Sequence, residues 1–104
     1  MSEINTRFVK DMLGIYLRAR DEEGYIASDF YSMLGRDGAF KTAMTLVNRL
    51  TPSIGFLKLC ELNRIDLTVE ALITGDQDYR SLFDEQTLKT AEQRIRAFER
   101  DSKT

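Results

Sequence analysis

An all-α fold, a compact orthogonal bundle of five or six helices, is the architecture this sequence predicts. Three observations lead there. Apolar residues recur at spacings of three and four over most of the 104 residues, the period of a helix with one buried face. Only one proline, Pro52, and six glycines interrupt the chain. No stretch shows the strict alternation of apolar and polar residues that a half-buried strand needs.

The first helix is expected from about Asn5 to Glu23, where Ile4, Phe8, Met12, Ile15, Tyr16 and Ala19 form one stripe. Gly24 ends it, because glycine adopts a left-handed conformation without a Cβ clash. Ser28 is read as the N-cap of a short helix over Asp29 to Leu34 that turns Phe30, Met33 and Leu34 to one side. The turn Gly35-Arg36-Asp37-Gly38 follows, with Asp37 placed to cap a third helix over Gly38 to Leu50. That helix is expected to bury Phe40, Ala43, Met44, Val47 and Leu50. Thr51-Pro52-Ser53 breaks the chain and restarts it, since proline suits the first turn of a helix. A fourth helix then spans about Ser53 to Leu62, with Asn63 as its stop.

Asp66 or Thr68 caps a fifth helix carrying Val69, Leu72 and Ile73 as far as Gly75. Asp76 to Phe83 reads as a polar loop anchored by Leu82 and Phe83. Asp84 caps the last helix, which runs to about Arg100 with Leu88, Ala91, Ile95 and Phe98 as its buried stripe. No repeat or linker divides the chain, so residues 1–104 are expected to form one domain.

Composition narrows the function. The hydrophobic share is 42% and the charged share 31%, the balance of a globular protein. Net charge is −2, whereas neutralising phosphates requires an excess of basic side chains. The single cysteine, Cys60, can form no intramolecular disulfide, and no apolar run approaches the roughly 20 residues that span a bilayer. A cytoplasmic protein without a membrane segment is expected.

There is no histidine. That removes the Ser–His and Cys–His nucleophile pairs and the commonest general base near neutral pH. With one cysteine and no histidine, a zinc site would need carboxylates almost alone, so no metal and no cofactor are expected. Gly35 and Gly38 flank Arg36-Asp37 without the lysine and serine of a phosphate loop. Cys60 lies among Leu57, Leu59 and Leu62 and reads as a structural thiol. Glu61, Asp66 and Glu70 read as solvated faces and a cap, and Asp76 and Asp78 as turn residues. The ligand positions after Asp78 hold Arg80 and Leu82, which no calcium loop would use.

Leu57 to Thr74 reads as helix, turn, helix, but Arg64 stands where a DNA-reading motif wants glycine. Its second helix offers Glu70 and no basic residue. The last helix carries Lys89, Arg94, Arg96 and Arg100, read first as a solvated face and otherwise as a basic strip for nucleic acid.

Gly55-Phe56, Leu59 and the run Arg64-Ile65-Asp66-Leu67-Thr68-Val69-Glu70-Ala71-Leu72 resemble the central block of a family of small, uncharacterised bacterial proteins. A preceding block is matched by Gly24, Tyr25, Phe30, Met33 and Gly38, and a following one by Tyr79, Leu82, Phe83, Ala91 and Arg94. The likeness covers roughly Tyr16 to Ile95. It implies no reaction. It does imply a bacterial source, with some members in mobile or phage-related regions.

The residues support a non-enzymatic protein-interaction module, such as an accessory or inhibitor in bacterial or phage defence. The alternative is a nucleic-acid-associated regulator that uses the C-terminal basic strip. The partner-binding candidates are Tyr25, Arg64, Glu70, Arg94 and Arg96. Arg64 folded onto Asp66 or Glu70 would instead fix the angle between the fourth and fifth helices.

Overall fold

In the computed structural model, which describes residues 3–102, the long apolar stripe at the N-terminus forms α1 (Glu3–Glu23). Phe8, Met12 and Ala19 are buried along it, with Ile4 and Ile15 packed beside them. Gly24 ends α1 with φ of +67°, and the amides of Gly24 and Tyr25 donate to the carbonyls of Arg20 and Ala19. A left-handed residue is required there, and glycine provides it without strain.

Helix α2 (Ser28–Asp37) begins one residue earlier than the sequence suggests. Ala27, not Ser28, occupies the N-cap position, and no side chain caps the helix. Gly38 alone then separates α2 from α3 (Ala39–Val47). Its φ of +86° reverses the chain while its amide closes α2 on Leu34 and its carbonyl accepts from Thr42. Asp37 therefore does not cap α3. Its carboxylate is held by Arg36 at 3.0 Å.

Helix α3 is shorter than expected and its buried face is rotated. Ala39, Thr42, Ala43, Leu46 and Val47 are buried, Met44 is partly so, and Phe40 is half exposed, stacked on Phe83 at 5.1 Å. Leu50 lies beyond the helix end in open solvent. Ser53 caps α4 (Ile54–Glu61) by accepting the Phe56 amide at 3.1 Å, with Pro52 just before it. Asn63 stops α4 at φ +59°. Asparagine tolerates that left-handed region better than most residues.

A 3-10 turn, Ile65–Leu67, leads into α5 (Val69–Gly75), and Thr68 rather than Asp66 caps it by accepting the Ala71 amide. The segment read as a polar loop contains a helical turn, α6 (Gln77–Arg80), capped by Asp76. Its Tyr79 is wholly buried. Asp84 then caps α7 (Glu85–Ser102) by accepting the Thr87 amide at 2.7 Å.

Among the described residues there are seven α-helices and no strand, so the fold is all-α. The main core joins Phe8, Met12, Val47, Ile73, Tyr79 and Ala91 where α1, α3, α5, α6 and α7 converge. A smaller cluster of Ala19, Leu59 and Leu67, with Tyr25 against it, fastens α4 and the 3-10 turn to the end of α1. No described helix is long and apolar enough to cross a membrane.

Candidate protein-interaction surface

Most of the charged residues that drew attention in the sequence hold the fold together. Arg64 reaches three carboxylates at once: Glu22 at 2.8 Å, Glu23 at 2.8 Å and Asp66 at 3.0 Å. The pairing with Asp66 agrees with the sequence reading, whereas Glu70 is elsewhere. The consequence is a tie between the C-terminal end of α1 and the 3-10 turn after α4. The bonds Arg64 donates to Asp66, then to Glu23 and Glu22, raise its pKa further, and Arg64 in turn holds the Asp66 carboxyl below the usual range.

Glu70 and Arg94 require a larger correction. Both were candidates for an exposed partner surface, yet their side chains are only 4% and 8% exposed and meet at 3.0 Å. Arg94 also donates to the carbonyls of Leu46 at 3.1 Å and Arg49 at 2.5 Å. It thus satisfies the C-terminal end of α3, where helical carbonyls lack partners of their own. Burial pushes the Glu70 pKa up, opposed by hydrogen bonds from its own amide and from Arg94. Arg94 is therefore subtracted from any basic strip on α7, leaving Lys89, Arg96 and Arg100 exposed. The candidate recognition helix, α5, buries Val69, Glu70 and Ile73 and packs along α7, so it presents no reading face.

A clamp at Tyr79 went unnoticed in the sequence. Its hydroxyl donates to Asp11 at 2.5 Å and accepts from Arg7 Nε at 2.9 Å. The Arg7 guanidinium also lies 4.7 Å from the Tyr79 ring centroid and bonds Asp76 and Asp78. Asp76 and Asp78 are thus engaged in fixing α6 to α1. Among the described residues no group of three potential ligands could hold a metal ion.

Large apolar side chains are exposed at several places, Val9 and Leu13 on α1, Ile26 before α2 and Tyr31 on it, and most fully around α4. Leu50 is fully exposed, and Ile54 and Leu57 on α4 are 82% and 55% exposed. Ile54 and Leu57, three residues apart, share one face of α4, with buried Phe56 and Leu59 on the opposite side of the helix, and Leu50 lies in the loop before it. Solitary exposed apolar residues are ordinary, whereas neighbours on one helix face are candidates for a contact surface.

Clefts flank this ridge on both sides. The first, about 520 Å³, opens between α4 and α2 and is walled by Ile15, Tyr25, Phe30, Met33 and Phe56. Tyr25 is partly buried there, and desolvation raises its pKa. The second, about 570 Å³, lies between α4 and α7 and is lined by Leu50, Pro52, Leu57, Cys60, Ala97 and Phe98. The Cys60 thiol is pushed up to about 11, chiefly by burial, which keeps it protonated and unreactive near neutral pH.

Of the five candidate residues, Arg96 is exposed and Tyr25 lines the first cleft. Arg64, Glu70 and Arg94 act in the framework. Leu50, Ile54 and Leu57 were missed because periodicity does not say where α3 stops or which face of α4 is covered. No family model matches the chain, and no curated protein or solved structure shows significant similarity to it.

Proposed function

We propose that this chain is a non-enzymatic protein-interaction module that binds a partner protein through α4 and the loop before it. The observation that carries this reading is the exposure of Ile54 and Leu57 on one face of α4, with exposed Leu50 in the loop before it and a cleft on each side. Exposed apolar side chains grouped on one face are a mark of protein-interaction sites. The lack of histidine and the engagement of Glu70, Arg64, Asp76 and Asp78 in structural pairs support a binding role over catalysis. An accessory or inhibitory role in a bacterial or phage-encoded system, exercised in the cytoplasm, agrees with the sequence resemblance.

The test is affinity capture from the cells of origin with the parent protein and with the double variant Ile54→Asp, Leu57→Asp. Both positions are exposed, so the variant should fold, which circular dichroism would check. The parent should retain a discrete partner that the variant loses. Equal recovery of that partner by both would move the binding surface away from α4.

A further inference from the structure

We infer that α4 is a strap that opens as a unit, swinging on the chain at its two ends. Opening joins the clefts on either side into one groove with Glu70 and Arg94 along its floor. It does not depend on what α4 binds, so the inference goes beyond the protein-interaction reading and is tested apart from it.

The apolar attachment of α4 is slight. Of its eight residues only Phe56 and Leu59 are buried. Leu59 packs with Ala19 and Leu67 in the smaller cluster, and no residue of α4 belongs to the main core or packs against it. By contrast, α1, α3, α5, α6 and α7 each give that core a wholly buried side chain: Met12, Val47, Ile73, Tyr79 and Ala91. Polar attachment is missing altogether. Among the described residues, every hydrogen bond and ion pair of α4 closes within residues 53–64. Ser53 accepts the Phe56 amide, Lys58 meets Glu61 at 3.9 Å, and the Asn63 and Arg64 amides donate back to Cys60 and Leu59.

The chain is pinned on either side of this stretch. Upstream, Arg94 donates to the carbonyl of Arg49, and downstream Arg64 holds Glu22 and Glu23 at the end of α1. Between the pins, Leu50, Thr51 and Asn63 are exposed, and Asn63 turns the chain at φ +59°. The ends are therefore fixed and the middle is not.

The clefts give the opened form its shape. Ile54 and Gly55 border the first, Leu57 and Cys60 the second, and Phe56 borders both. Glu70 lines the first and Arg94 the second, and the two are bonded to each other at 3.0 Å. Phe56 is thus the partition between two clefts that share one ion pair. Lifting α4 gives up the burial of Phe56 and Leu59, breaks no polar bond to another element and leaves the main core in place. Segments with so few buried contacts open well below the free energy of global unfolding.

Native-state hydrogen exchange on the full chain is the test. The amides of residues 57–62 should exchange at least about tenfold faster than the slowest amides of α1, α5 and α7. They should also share one urea dependence, shallower than that of the core because less surface is exposed. Ile73→Val separates local from global opening, since Ile73 is wholly buried in the main core and stays packed when α4 lifts. The substitution should speed the core amides about two- to tenfold and leave residues 57–62 unchanged. In a Cys60→Ser background, Leu67→Cys places a thiol against Leu59, and Val47→Cys places one in the main core. The first should be alkylated at least about tenfold faster, because only it is uncovered by local opening. An equal response of both sets of amides to Ile73→Val means that α4 opens only with the whole chain, and overturns the strap. Amides of α4 that exchange at unrelated rates, indifferent to urea, indicate fraying and overturn it too. Equal alkylation of the two buried thiols shows that the floor stays covered, and overturns the joined groove.

Discussion

The two sides of α7 are finished to different degrees. Toward α1, α3, α5 and α6, Ala91 and Thr87 are buried, and Arg94 is paired with Glu70 and two carbonyls. Toward α4, the same helix turns Ala97 and Phe98 to a groove that none of the described residues fills. On the first side the buried polar groups are hydrogen-bonded, Thr42 Oγ1 alone excepted among the described side chains. The second shows apolar groups left in water, which folding alone does not favour. Stability should therefore respond to changes on the first side and binding to changes on the second.

The largest effect on stability is expected at the buried pair. Arg94→Ala leaves Glu70 as an uncompensated buried charge and strips two carbonyls of their donor. Breaking such a pair from one side costs about 3–5 kcal/mol, measurable by urea unfolding at pH 7. The deficit should depend on pH with a definite sign. Burial raises the folded-state pKa of Glu70 above its unfolded value, and losing Arg94 raises it further. The unfolded value is common to both chains, so the deficit is flat below the parent's folded-state pKa and grows from there up to the higher pKa of the variant, on top of the pH-independent loss of the carbonyl donor. A deficit that stays constant from pH 4 to pH 8 would show that Glu70 finds another partner or reaches water.

A smaller loss is expected at the clamp between α6 and α1. Tyr79→Phe keeps the ring beneath Arg7 and packed edge-on against Phe8 at 5.0 Å, but removes the hydroxyl that joins Arg7 to Asp11. Asp11 and Arg7 are exposed enough to turn to water, so the cost should be about 1 kcal/mol, typical of a net hydrogen bond. A loss above about 3 kcal/mol would mean that α6 detaches as a unit.

This contrast also governs what the sequence could reveal. The apolar stripe of α1 and the cap at Asp84 are local patterns, and local patterns can be read from the chain, whereas the sequence alone places Ser53 inside α4 and leaves Thr68 only as an alternative to Asp66. Ser28 and Asp37 look equally like caps. At Ser28 the helix begins one residue sooner, and at Asp37 the neighbouring Arg36 holds the carboxylate while Gly38 makes the turn. The Glu70–Arg94 pair joins residues on different helices and has no local signature. Leu50 lies just past a helix whose end is set by packing, so its spacing from Val47 imitates a buried position. The candidate site was therefore hidden for one reason throughout: a surface is defined by what fails to cover it, and that depends on the whole fold.

The smallest effect is expected for nucleic acid. With Arg94 buried, the C-terminal helix can offer phosphate only Lys89, Arg96 and Arg100. Three contacts to duplex DNA give a slope of about −2.7 in log affinity against log salt, and affinity in the weak, non-specific range near 10⁻⁴ M at physiological salt. Glu85 and Glu92 on the same helix reduce the attraction further. A mobility-shift titration should thus show no discrete complex at micromolar protein, and Arg96→Ala, Arg100→Ala should leave that result unchanged. Micromolar binding abolished by these two substitutions would instead assign the exposed cations of α7 to nucleic acid, because a solvated face has no reason to lose affinity for DNA when it is neutralised.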